Sequence, residues 1–384
     1  MEGFDLNVFR TRYELPEIFL TTLNYGFYAF HVLNSLFDPS HKIPWLDVPI
    51  AIKAELHQIA FVVFQALQRA IRLEWDVYDY AEVLEQEDLT EGEQMERFPP
   101  NIGTFDGTRK YLDVEHEPCA FIDRNGRILW LYLPAIIRED RWTEICDAVA
   151  KVSATPNPPF GRPPSLSKAD YTKRFKDSPQ LARGATHLFP ADFEPRSRSS
   201  LPSDLPFPCL PFRVDERYHG FWLLDNIGSD TMAILGAVLA LAQPALFHVS
   251  LEMFERLSNR DVSVGQPWVF DEVLRRWASP FQSFSIYNDH SQPPHRYANT
   301  HPMGFDLFLS AGDVLANRFT APTLGREFYF DPGTICIGLG HLICHGWVTG
   351  GDGDHIVCHF SVMEELANYF DYLMAPPSDN DCTC

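Results

Sequence analysis

Between Pro280 and about residue 362 the chain breaks into short apolar runs separated by Gly and Pro. The runs are Phe284-Ser285-Ile286-Tyr287, Phe305-Asp306-Leu307-Phe308-Leu309, Glu327-Phe328-Tyr329-Phe330, Thr334-Ile335-Cys336-Ile337 and Ile356-Val357-Cys358-His359-Phe360. Each is too short for a stable helix, and the punctuation keeps them from fusing into one. Short strands punctuated in this way suggest a barrel or sandwich. A further strand pair lies upstream. Cys119-Ala120-Phe121-Ile122 and Ile128-Leu129-Trp130-Leu131-Tyr132-Leu133 flank Asn125-Gly126, a dipeptide that supplies positive backbone angles to a hairpin turn.

The rest of the chain reads as helix and loop, which makes the fold class α+β. Residues 16–92 are mainly helical, with apolar positions from Ile50 to Leu73 at helical spacing. Arg138 to Val152 forms an amphipathic helix that gathers Trp142, Ile145, Val149 and Val152 on one face. Residues of about 154–213 form a Pro-rich excursion with a few short helices, and loops this long are usually functional or mobile. Met232 to Phe254 is apolar, but Gln243-Pro244 interrupts it, so a buried helix broken near Pro244 is expected rather than a membrane span. The chain thus divides into an N-terminal, mainly helical region (1–115), a β-rich domain (116–362), and a C-terminal helix with an acidic tail (363–384).

Bulk properties narrow the function classes. The sequence has 384 residues, a 45% hydrophobic fraction and 30 Phe, so it folds rather than remaining disordered. Its net charge of -21 repels polyphosphate chains and lowers, without excluding, a nucleic-acid partner. The basic residues Lys168, Lys173, Arg174, Lys176, Arg183, Arg196 and Arg198 read as solvated loop charges, with a strand-clamping surface as the alternative. The eight Cys are scattered with no Cys-x-x-Cys pair, and Cys336, Cys344 and Cys358 sit in apolar runs as reduced thiols. The first residues lack a basic region followed by an apolar one, so the expectation is an intracellular protein with no membrane partner.

The β-rich segment also carries the candidate chemistry. His295 and Tyr297 are two apart, a spacing that sends both side chains to one face of a strand. His345 follows in Leu342-Ile343-Cys344-His345-Gly346. A facial iron site needs two His and one carboxylate. Here the third position is a phenol that titrates near pH 10 unless bound to metal. Asp289, His290, Asn299, His301 and Asp306 flank the site. A shifted metal site using His290 with His295, or His295 with His301, stays open. His341 and His345 lack the intervening Glu of a metalloprotease helix. Gly350-Gly351-Asp352-Gly353-Asp354 reads as a flexible hairpin tip, and Glu115-His116-Glu117 as a charged turn.

In this order the residues resemble fungal members of the Tet/JBP-like branch of iron(II)/2-oxoglutarate-dependent dioxygenases. The resemblance rests on His295-Arg296-Tyr297, on Leu324-Gly325-Arg326-Glu327-Phe328-Tyr329-Phe330-Asp331-Pro332-Gly333, on Leu342 to Gly346 and on the strand from Ile356 to Phe360. It also includes Asp123-Arg124-Asn125-Gly126 and Leu131-Tyr132-Leu133-Pro134, and covers roughly residues 118–362. It implies a double-stranded β-helix (jelly-roll-like) core with flanking helices. It implies iron(II) held by His295 and His345, with Tyr297 in the carboxylate position. It places His355 where an arginine would grip 2-oxoglutarate. If active, the protein would oxidise a methylated nucleobase in nucleic acid. Both departures remove charge: a neutral phenol replaces an anion, and His355 cannot form arginine's bidentate fork. A non-catalytic protein that keeps the oxygenase fold to bind a partner, such as another protein, is therefore the competing expectation.

Overall fold

A computed structural model describes residues 17–369, apart from 88, 101–112, 164–165, 192–205, 207, 213–218, 262–263 and 298–299. Asn299, Arg196, Arg198 and the terminal Cys-Thr-Cys therefore lie outside the described residues. The strands are β1 (Ala70–Arg72), β2 (Asp113–Glu115), β3 (Cys119–Ile122), β4 (Ile128–Leu133), β5 (Gly184–Leu188), β6 (Ser283–Asn288) and β7 (Gln292–His295). They continue with β8 (Asp306–Gly312), β9 (Arg318–Ala321), β10 (Arg326–Tyr329), β11 (Ile335–Gly338), β12 (His345–Val348) and β13 (His355–Ser361). Helices account for most of the remaining regular structure, so the α+β class holds.

Two sheets are built. The larger has the order β1-β3-β4-β11-β8-β13-β6-β5, and the smaller β2-β10-β9-β12-β7. From β6 onward the chain moves repeatedly between them. Strands β6, β8, β11 and β13 join the larger sheet, while β7, β9, β10 and β12 join the smaller. The Gly350–Asp354 segment is therefore a crossing between sheets rather than a hairpin tip. It follows β12, which pairs with β7 and β9, and leads to β13, which pairs with β6 and β8. It is also held in place: Gly350 N–H donates to Asn317, and Asp354 N–H donates to Asp313. The Glu115-His116-Glu117 turn begins within β2, where Glu115 pairs with Arg326 at 3.4 Å.

Strand alternation sends Phe308, Ser310, His355 and His359 to the same face of the larger sheet, in the register His359↔Phe308 and His355↔Gly312. That face meets the smaller sheet through aromatic rings. Trp130 lies 5.6 Å from Phe319, Tyr132 lies 4.8 Å from Phe328, and Phe308 lies 5.9 Å from Trp347. Rings buried at these separations add attraction beyond the area they remove from water.

The N-terminal helices belong to the same core. Glu17–Phe37 packs along Ser229–Ala242, and Ile50–Gln68 fits between Glu17–Phe37 and strands β3 and β4. Polar ties fix the seams: Tyr25 donates to Asp230 at 2.6 Å, and Arg141 pairs with Glu55 at 3.3 Å. The apolar Met232–Phe254 stretch is two helices, Ser229–Ala242 and Pro244–Ser258, broken at Gln243. Proline tolerates the first turn of a helix because its missing N–H has no partner there. The excursion contains an unexpected strand, β5, which pairs with β6 at the edge of the larger sheet.

Candidate functional site

His295 ends β7, and His345 opens β12. The two strands pair antiparallel with His345 opposite His295. Gly346 permits the close approach, because a Cβ there would collide with the Gln292 carbonyl and the Pro293-Pro294 backbone. The two imidazole centroids are 5.4 Å apart, and Tyr297 lies 4.6 Å from His295 and 5.4 Å from His345. The structure thus brings His295, Tyr297 and His345 together.

The environment sets each protonation state. His345 is fully buried, with Phe308 4.7 Å and Phe319 5.7 Å from its ring. Burial, then His295, holds its pKa well below the usual imidazole range. Its Nδ1 lies 2.7 Å from the Ile343 carbonyl, which can only accept, so Nδ1 carries the proton. Its Nε2 is buried without a hydrogen-bond partner among the described residues. His295 is pushed down to about 4, chiefly by burial, and the Gln292 amide nitrogen lies 3.1 Å from its Nε2. Both rings are therefore neutral near pH 7.

Tyr297 behaves differently. Burial and the neighbouring Tyr287 hydroxyl, to which it hydrogen-bonds, drive its phenol well above the ordinary value. Its ring stacks on His359 at 4.4 Å. A neutral phenol occupied by another tyrosine supplies neither the charge nor the hard anionic oxygen that iron(II) takes from a carboxylate.

His355 sits apart from these three. It occupies the opposite end of β13 from His359, four residues or roughly 13 Å along the strand. The ring is fully buried, and both nitrogens are used: Nε2 with Ser310 Oγ at 3.1 Å and Nδ1 with Thr349 Oγ1 at 3.2 Å. Burial, then Lys176, lowers its pKa to about 3. It offers no cation and no spare donor to a carboxylate.

Sequence reasoning missed the most polar contact beside the cluster. His359 and Asp306 share a buried hydrogen bond of 3.1 Å, and His359 stacks between Tyr297 and Phe308. Asp306 is committed there. Its other oxygen packs so closely on Gly340 that a Cβ would overlap it, and burial raises its pKa. The signal was present, since His359 is an even number of residues from His355 on one strand and so shares its face.

The flanking residues do not complete a shifted site. His290 is buried between the Phe175 and Tyr287 rings at 4.2 and 5.3 Å, and Asp289 accepts the His355 N–H at 2.8 Å. The His301 ring nitrogen accepts the Met303 N–H at 3.1 Å. Arg296, between the two candidate ligands, turns the other way. It donates to the Leu342 carbonyl, to Tyr80 and to Gln94, which ties this loop to the N-terminal helices.

Two imidazoles on one ion, with metal–nitrogen bonds of about 2.0–2.1 Å, place their ring centres roughly 4.5–5.2 Å apart. The observed 5.4 Å is close to this, and the unpartnered His345 Nε2 suits a ligand. The third ligand does not fit, because no group of three His, Cys, Asp or Glu able to hold a metal occurs among the described residues. His355, which the resemblance sets beside the co-substrate, has no free nitrogen to offer one.

No family model and no curated protein matches the chain. Among solved structures it is similar to NgTET1 in complex with 5mC DNA, with a TM-score of 0.43 and 12% identity over 75% of this chain and 88% of that one. It is also similar to the C-terminally truncated thymine-7-hydroxylase of Neurospora crassa in its apo form, with a TM-score of 0.24 and 11% identity over 60% and 81%. At these values the likeness assigns neither activity nor ligand.

Proposed function

We propose that this chain is a double-stranded β-helix protein of the Tet/JBP-like kind that has lost iron/2-oxoglutarate chemistry and acts as a binding protein. The observation that carries this reading is His355, buried, neutral and hydrogen-bonded through both nitrogens by Ser310 and Thr349. The strand orders support the fold: β11-β8-β13-β6 in one sheet and β10-β9-β12-β7 in the other. Tyr297 supports the loss independently, since its phenol fills the carboxylate position and stays protonated. Buried groups satisfied in this way would have to give up existing bonds before gripping a co-substrate.

A protein is the favoured partner class. The chain carries -21 charges, and several cations near the site are already engaged. Arg174 donates to Gln292, Lys176 to the Gly351 carbonyl and Arg183 to Asp177. Intracellular placement is part of the same proposal, because Cys119, Cys336 and Cys358 are buried, reduced thiols within strands. One specific observation favours a second reading. The unshared lone pair of His345 Nε2, facing no partner among the described residues, suits a divalent cation bound by His295 and His345 without turnover.

The test is succinate formation from 2-oxoglutarate with iron(II) and ascorbate. Wild type should release none above a protein-free control. Succinate that appears with wild type and disappears with His345→Ala would overturn the proposal. Cobalt(II) titration of the same two proteins separates metal binding from turnover.

A further inference from the structure

The helix Ile50–Gln68 has a buried side and an exposed side of unusual character. Ile52, Leu56, Ile59, Ala60 and Val63 face the core. The exposed positions include Ala51, Ala54, Gln58, Phe61, Gln65 and Gln68. Their intervals are 3, 4, 3, 4 and 3, the spacing of a helix–helix seam. Ile50 and His57, also exposed, flank that seam. None of these eight positions is Asp, Glu, Lys or Arg, in a chain with 52 acidic and 31 basic residues. Large apolar groups adjoin the face: Ile50 is 85% exposed, and Phe37, 47% exposed, stacks edge-on against Phe64 of the same helix at 4.8 Å. Single exposed apolar residues are ordinary, but a contiguous patch marks an interaction surface.

We propose that this seam binds a second copy of the same chain, with Ile50–Gln68 packed antiparallel on its counterpart about a two-fold axis near Gln58. Three features select that occupant. First, two copies each carrying -21 repel through most of their surfaces and can approach with least cost through one that exposes no carboxylate, since the helix's one acid, Glu55, is buried. Second, a glutamine amide is both donor and acceptor, so Gln58 complements itself across a two-fold axis. Third, an antiparallel pairing centred there sets Phe61 of one copy against the small Ala54 of the other, large into small on both sides. By length and composition the same helix is apolar enough to cross a membrane. Its other side is packed into the protein core, however, and the acidic chain would be repelled by anionic lipid. This inference is independent of the oxygenase-fold reading.

Sedimentation velocity of the full chain over a concentration series tests it. Wild type should show a reversible monomer–dimer equilibrium, and Phe61→Glu should weaken it roughly thirtyfold or more, as loss of a central aromatic does at interfaces. Circular dichroism of the variant should remain unchanged, since Phe61 lies on the exposed side. Mild oxidation should cross-link Gln58→Cys into dimers while Gln68→Cys, far from the axis, stays monomeric. A monomer at every concentration overturns the proposal, as does a dimer indifferent to Phe61→Glu. Binding to zwitterionic vesicles that Phe61→Glu abolishes, without self-association, overturns it in favour of lipid.

Discussion

Phe308→Ala should lower stability by about 3–5 kcal/mol, the cost of removing a fully buried ring from a core that cannot collapse around the gap. Phe308 is the ring on which the two sheets meet. It stacks on His359 at 4.6 Å, and lies 4.7 Å from His345, 5.4 Å from Phe319 and 5.9 Å from Trp347. Partners on both sheets would lose contacts together, and one of them, His345, is an imidazole that burial holds neutral. Urea unfolding, followed by fluorescence and circular dichroism, measures the effect as a lower midpoint. A small loss, on the order of 1 kcal/mol, would mean that the space between the sheets is already open rather than filled by rings.

Acidification should destabilise the fold sharply below pH 6.5. Burial is the main cause that holds His290 and His355 down to about 3 and His187 to about 4, from an ordinary value of 6.5. The unfolded chain therefore binds these protons first. The stability they contribute is complete above about pH 6.5 and is lost as pH falls toward their folded values. Asp289 acts in the opposite sense. Burial raises it to about 6, so its protonation favours the fold as pH falls from 6 toward 3.8. Asp306, also raised by burial, works with it. With His295 and His345, which burial also lowers, five histidines outweigh the two carboxylates, and the net loss is on the order of 1–3 kcal/mol per pH unit between pH 6 and 4. The check is the urea midpoint at pH 7.5, 6 and 5. His355→Gln should flatten the slope by about one proton, and a midpoint that does not change with pH would contradict the burial of these rings.

How much of this was legible in the sequence follows from which strands carry continuous apolar runs. Strands β6, β8, β11 and β13 are buried on both faces along most of their length, and each was visible as such a run. β7, β9 and β12 were not. β7 reads Gln-Pro-Pro-His and survives as a strand because it lies at a sheet edge, where a missing N–H costs little. β12 contains only four residues and opens on His345. β5 was hidden inside a Pro-rich segment because it too is an edge strand. In the hairpin, the described turn runs over five residues with Gly126 at φ +85°, and Asp123 accepts from Asn125 and Arg127 N–H groups.

The site divides along the same lines. The spacing of His295 and Tyr297, together with the later His345, placed three side chains that do meet. That inference needs only strand alternation and one antiparallel pairing. His355 could not be read in the same way. Its state depends on Thr349, across a sheet crossing, and on Ser310, 45 residues away on a neighbouring strand. Pairings that distant leave no local trace in sequence. The same holds for Tyr287, whose contact with Tyr297 adds to burial in keeping the phenol protonated.

The most direct test of the proposed loss of co-substrate binding is calorimetric titration of 2-oxoglutarate into anaerobic, iron(II)-supplemented protein at pH 7.5. The closed Ser310–His355–Thr349 arrangement predicts no saturable heat, with wild type and His355→Gln indistinguishable. Saturable, iron-dependent binding that weakens in His355→Gln would contradict it and return this chain to the catalysts.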